Sequence, residues 1–210
     1  MTAGAPPQTQ FSIGVMVSGG GTSLQNLIDR IANGRLAGVR VAVVIASRDG
    51  IAAIDRARKA GIPIEVVRPG DSADVDSFSL AIRVVAERHG VRLLVQGGWL
   101  CYWRPGPSWE GRVINIHPAL LPEFGGRGYY GRNVHSAVLA AGRALTGATV
   151  HLVDDQYDHG QIVLQRTCPV QPEDSPESLA ERVFTVECEL LPRAIELARD
   201  GRLPIFPVRR

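Results

Sequence analysis

Asn115-Ile116-His117-Pro118 sets a carboxamide and an imidazole two residues apart, and the residues from Val113 onward read as a strand. Side chains two apart on a strand share one face. Pro118 ends that strand directly after the histidine, so both groups emerge at a strand's carboxyl end, where α/β sheets bind ligands. A carboxamide can donate a hydrogen bond to a developing oxyanion, and an imidazole can donate or move a proton. Acyl-type transfer needs both. A lone histidine is more often a satisfied structural residue. The Asn-x-His spacing followed by Pro118 and Pro122 favours chemistry.

Two further segments carry reactive or ligand-binding types. Gly19-Gly20-Gly21-Thr22-Ser23 lies between an apolar run, Ile13 to Val17, and a helical pattern at Leu24, Leu27, Ile28 and Ile31. A glycine turn opening a helix presents free N–H groups and the positive end of the helix dipole to an anion. A Walker loop is excluded because no lysine follows the glycines; Lys59 is the sole lysine in the chain. A dinucleotide fingerprint requires a third glycine where Leu24 stands and an acid where the second strand ends in Ser47-Arg48. Arg48 could suit a 2′-phosphate, so an NADP-dependent oxidoreductase stays open; the phosphomonoester of a small substrate fits better. The second segment, Thr149 to Gly160, holds His151, His159 and three acids, Asp154, Asp155 and Asp158. Its spacing matches no recognised metal site. A carboxylate shortly before a glycine in such a loop can orient a histidine.

The elements that must position these groups alternate. Strands are expected at 13–17, 39–46, 64–67, 93–96 and 113–116, with helices at 51–60 and 74–89 and the glycine-loop helix between them. Alternation of this kind gives right-handed crossovers and a parallel sheet. After Gly97 the pattern changes: an aromatic stretch, a long Pro/Gly/Tyr-rich loop over 119–132, a helix at 134–141, a hairpin of 149–153 with 162–170, and a last helix over 178–198 with Pro192 as a candidate kink. Loops as long as 119–132 are usually functional. The expected fold is a single Rossmann-like α/β domain over 11–205, a mainly parallel twisted sheet flanked by helices with an antiparallel hairpin in its C-terminal half. Its front half (11–97) binds phosphate and its back half (98–205) builds the remaining site. Residues 1–10 read as a disordered tail.

Composition narrows the function. The 210 residues carry a net charge of +2, which predicts no binding to nucleic acid or anionic membrane. Cys101, Cys168 and Cys188 are odd in number and scattered, the usage of a reducing compartment. The first ten residues lack the basic and apolar regions of a signal peptide. A cytoplasmic protein acting on small molecules, as a monomer or homodimer, is expected.

The motifs taken together resemble the phosphoribosylglycinamide formyltransferases over about residues 11–203. The resemblance rests on Ser18 to Gln25, Asn115 to Pro122, and Gly147 to Ile162, with Gln165 and Pro169 behind. The short one-domain layout favours this family over related methionyl-tRNA formyltransferases and formyltetrahydrofolate hydrolases. The resemblance implies transfer of the formyl group of 10-formyltetrahydrofolate to the amine of 5-phosphoribosylglycinamide in purine biosynthesis, without metal. It implies a catalytic trio of Asn115, His117 and Asp158, and a substrate-phosphate loop of Gly21, Thr22 and Ser23. Glu187 would contact the glycinamide portion. Leu100, Cys101, Tyr102 and Trp103, with Asp154 and Asp155, would bind the folate. Thr149 and His135 would support the site. A carboxylate near His117 would favour its cationic form. Formyl transfer to another amine, or hydrolysis of the formyl-folate, remains the rival on the same scaffold. This chain departs from the family's usual pattern in the longer segment Phe124 to Gly131 and in Cys101, where an arginine is common.

Overall fold

The structure, a computed structural model, describes residues 10–203. The expected tail lies outside the described residues except for residue 10, as do residues 204 and 205 at the end of the expected domain. The front half builds β1 (Phe11–Val17), α1 (Thr22–Ala32), β2 (Val39–Ala46), α2 (Ala52–Lys59), β3 (Ile64–Val66), α3 (Val75–Arg88) and β4 (Leu93–Gln96). The back half adds β5 (Val113–His117), α4 (Arg132–Ala140), β6 (Leu145–Leu152), β7 (Ile162–Pro169) and α5 (Pro176–Arg199).

All seven strands join one sheet in the order β3-β2-β1-β4-β5-β6-β7. The first five run parallel, and β6 is antiparallel to both its neighbours, β5 and β7, which puts an antiparallel hairpin at the C-terminal edge as the sequence predicts. The chain moves outward from β1 through β2 to β3, then returns to β4 on the other side of β1. That reversal opens a crevice at the carboxyl ends of β1 and β4, the place where doubly wound sheets take ligands. Central strands are apolar on both faces because both are covered. Ile13, Val15, Val17, Val44 and Ala46 pack toward α1, α2 and α5, whereas Met16, Val43 and Ile45 pack with Phe78, Ile82 and three buried tryptophans on the α3 side.

Several boundaries differ from the sequence reading, most of them by one or two residues. β6 starts at Leu145 because its first residues pair with the end of β7, Leu145 opposite Pro169 and Ala148 opposite Arg166. α5 starts at Pro176 because Ser175 and Ser178 form a reciprocal capping box. It continues through the buried Pro192 to Arg199. No helix among the described residues is long and apolar enough to cross a membrane.

Candidate active site

The glycine loop comes first. Gly21 has φ 72°, a left-handed conformation, and a Cβ there would lie 2.6 Å from the Ala53 Cβ. Only glycine fits both conditions. The close approach lets the start of α2 hold the loop from below: Ala53 N donates to Gly19 O (3.2 Å) and Arg56 Nε to Gly20 O (2.9 Å). No side chain caps α1, so its first amides, at Thr22 and Ser23, have no internal partner among the described residues. Arg48, the group that could have suited a 2′-phosphate, instead donates to Ser18 O at 3.2 Å, and Ser47 Oγ donates to Ser18 Oγ at 2.8 Å.

Across the crevice, strand register assembles the second cluster. Pairing of β5 with β6 sets Asn115 opposite His151 and His117 opposite Thr149. The β6–β7 connection folds back so that Asp158 reaches both strands. Gly160 allows this, since a Cβ there would sit 1.9 Å from Leu152 O. Asn115 Nδ2 donates to His151 Nε2 (3.1 Å) and to Asp158 Oδ1 (3.3 Å). Asp158 Oδ2 lies 3.5 Å from His117 Nδ1 and accepts from Gly126 N at 3.0 Å. Asp158 Oδ1 lies 3.4 Å from His151 Nε2. The three residues predicted to converge do converge.

Hydrogen bonds assign the ring protons. His117 Nε2 lies 2.8 Å from Phe124 O, and His151 Nδ1 lies 2.8 Å from Leu152 O. A carbonyl only accepts, so each of those nitrogens carries the proton. His151 Nε2, when unprotonated, is then free to accept from Asn115. Phe124 and Asp158 both hold positive φ, 54° and 52°. Non-glycine residues in that region carry strain, which clusters at sites. The His117 and Gly126 hydrogen bonds fix these two residues in place.

Burial outweighs the expected effect of the carboxylate on His117. His117 is 3% exposed, and burial pulls its pKa below the ordinary value even though the Asp158 carboxylate and the Phe124 carbonyl push it up. The resting imidazole is neutral, not cationic. For Asp158, burial pushes the carboxyl up, but donation from His151 Nε2 when that nitrogen is protonated, the charge of His117 when its ring is cationic, and the Gly126 amide together hold it below the usual range. It is ionised at neutral pH.

Both clusters line one cavity of about 760 Å³. Gly21, Thr22, Ser23, Asn115, His117, Asp158, Glu187, Leu100, Cys101, Tyr102, Trp103, Asp154 and His135 all reach it. Asp155 does not. It is exposed, and only its carbonyl takes part, accepting from the Tyr102 hydroxyl at 2.8 Å. Thr149 is fully buried behind the wall. Its Oγ1 donates to Ala119 O (2.7 Å) and accepts from Leu121 N (3.1 Å) and Gln165 Nε2 (2.9 Å), which fixes the segment after His117. His135 is buried in the first turn of α4 with Nδ1 unpartnered among the described residues, and burial lowers its pKa.

Residues 12–195 match the formyl transferase family. The chain belongs to that family. This formyl transferase is 37% identical over 193 residues to the trifunctional purine biosynthetic protein adenosine-3 of Bos taurus and 34% identical over 196 residues to that of Homo sapiens. Those alignments cover 90% and 92% of the chain but 18% and 19% of the relatives, so it spans about a fifth of their length. Among solved structures, it resembles glycinamide ribonucleotide transformylase 1 from Symbiobacterium toebii with TM-score 0.86 and 35% identity, covering 95% of this chain and 92% of that one. The phosphoribosylglycinamide formyltransferase from Coxiella burnetii follows with TM-score 0.84 and 30% identity, covering 92% of this chain and 89% of that one.

The sequence reading left several lining residues of the formyl transferase without a role. The sequence shows His151 but not its pairing with Asn115, because cross-strand register is invisible in a single sequence. Arg127, Tyr129, Tyr130 and Tyr157 belong to loops with no periodicity. Phe184 and Glu181 face the cavity with Glu187 because they fall on one side of α5.

Glu187 makes no hydrogen bond among the described residues, and burial pushes its carboxyl up to about 7. A raised folded pKa means acidification favours the native state between about 7 and the unfolded value near 4.5. His117 and His135 act oppositely: the unfolded chain takes up protons below about 6.5 that the buried rings refuse. Glu187→Gln removes the compensating carboxyl. Its thermal midpoint will therefore fall more steeply than the wild type's between pH 7 and pH 5. Parallel curves would show that the carboxyl is not enclosed.

Proposed function

We propose that the chain transfers the formyl group of 10-formyltetrahydrofolate to the amine of 5-phosphoribosylglycinamide, a step of purine (IMP) biosynthesis in the cytoplasm. The observation that carries the proposal is the ionised Asp158, held among Asn115, His117 and His151 on the wall that also contains the glycine cradle. Pockets for one drug-sized ligand span roughly 300–1,000 Å³. The cavity is in the upper part of that range and is open at its edge, which supports two small substrates meeting in it.

In this reading residues 11–205 work as one unit. The free amides of α1 with Gly21, Thr22 and Ser23 hold the acceptor's phosphate, and Glu187 contacts its glycinamide portion. Leu100, Cys101, Tyr102, Trp103 and Asp154 receive the folate, with Asp155 contributing only its carbonyl through Tyr102. The neutral amine attacks the formyl carbon and forms a carbon–nitrogen bond. The carbonyl π electrons move onto oxygen. Asn115 donates to that oxyanion by turning one amide hydrogen away from its longer bond, to Asp158. Asp158 takes the proton from the attacking nitrogen and passes it to N10 of the folate. The carbon–N10 bond breaks, releasing tetrahydrofolate and the formamide. His117, fixed by Phe124 O, keeps an unprotonated Nδ1 3.5 Å from Asp158 Oδ2, placed to share the proton that Asp158 receives. No covalent enzyme intermediate or metal is required.

Purified protein with both substrates should yield formylated ribonucleotide and tetrahydrofolate in equal amounts. Donor consumed without formylated acceptor would instead mark a hydrolase. No turnover, with NADPH quenching the tryptophan fluorescence, would mark an oxidoreductase.

A further inference from the structure

Arg127 lies in the loop between β5 and α4. The hydrogen bond from Gly126 N to Asp158 Oδ2 ties that loop to the β6–β7 connection. Arg127 follows one end of this tie and Tyr157 precedes the other, and both line the cavity. Among the described residues, two arginines line it. Arg132 is paired with Glu177 at 2.8 Å, whereas Arg127 makes no ion pair or hydrogen bond among the described residues.

Its surroundings define what it can take. The Tyr157 ring stands 5.4 Å from the Tyr102 ring at 49°, and Leu100 beside them is 53% exposed. The positive charge of Arg127 reaches Tyr157, where it partly offsets the effect of burial on the phenol. The mouth therefore offers aromatic faces beside an uncompensated guanidinium. A flat ring joined to a carboxylate fits it, since guanidinium pairs bidentately with carboxylate and aromatic rings stack or tilt against one another. The glycine loop, also on the cavity wall, takes the acceptor's phosphate in the proposed function.

We infer that Arg127 binds a carboxylate of the glutamate tail of the formyl donor, with Tyr102 and Tyr157 against the donor's aminobenzoyl ring. The inference rests on the formyl-folate reading and adds a specificity determinant carried by this chain's own loop.

The test compares wild type, Arg127→Ala and Arg127→Lys with two donors: the glutamate-bearing formyl-folate, and the same molecule with its glutamate replaced by a neutral amide. Arg127→Ala should raise KM for the natural donor about tenfold, with kcat and the acceptor's KM little changed. Arg127→Lys should recover part of the loss. With the neutral-tailed donor the KM ratio of variant to wild type should collapse toward one. Added salt should weaken the wild type's preference for the charged donor, because the pair sits at the rim. An equal KM ratio for both donors overturns the inference. So does a variant whose defect lies in the acceptor's KM, which would assign Arg127 to the phosphate. Wild type with no turnover on either donor counts against the formyl-transfer proposal instead. Quenching of tryptophan fluorescence by folate, set against its neutral-tailed amide, then still reads Arg127.

Discussion

Asp158→Asn will lower kcat by about a thousandfold, within the 10²–10⁴ range of positioned acid–base groups, and leave folate affinity within a few-fold. The amide keeps the size of the carboxylate and one acceptor oxygen, so the Gly126 tie at 3.0 Å can survive. What disappears is the anion between two histidines. Without it no group at this point accepts the proton of the attacking amine. His117 loses the one charge that raises its pKa against burial, so its proton affinity falls further. In the proposed function, donor binding rests mainly on the 100–103 segment and the Tyr157 rim, which the substitution leaves alone. Single-turnover kinetics with both substrates, beside a fluorescence titration with folate, separates the two quantities. A kcat within tenfold of wild type would remove Asp158 from the mechanism.

How far the sequence carried this site depended on the kind of information each residue needed. Asn115 and His117 were legible because period-two geometry and Pro118 are local facts. The glycine loop was legible for the same reason, as a strand, a turn and an amphipathic helix in order. Asp158 was placed only by resemblance, since nothing in a single irregular loop says which of Asp154, Asp155 and Asp158 turns inward. The answer comes from the Gly160 approach to Leu152 O and from the left-handed backbone at Asp158. The partnership of His151 with Asn115 needed the β5–β6 register, a tertiary fact. The Asp158 carboxylate does favour the cationic form of His117, as the sequence suggests, but the burial that outweighs it is a tertiary fact. The helix and strand ends that moved, at Leu145 and Pro176, were set by pairing and capping beyond the apolar pattern.

Asn115→Ala will cost about 10²–10³ in kcat, the usual loss for one oxyanion donor, with a small change in either KM. The residue's two donor contacts are unequal, 3.1 Å to His151 Nε2 and 3.3 Å to Asp158 Oδ1. The longer one is the weaker, so redirecting that hydrogen to an oxyanion costs little in the ground state. It gains a charge-assisted bond as the tetrahedral species forms, and a contact strengthened only there acts on kcat. Asparagine is also the link between His151 and Asp158, so alanine loosens the carboxylate as well as removing the donor. Residues that serve one step as a unit do not lose activity multiplicatively. The double variant Asn115→Ala/Asp158→Asn should therefore fall within about tenfold of Asp158→Asn alone. A double loss equal to the product of the singles would mean that carboxamide and carboxylate act at separate steps, and formyl transfer would then need a different division of labour.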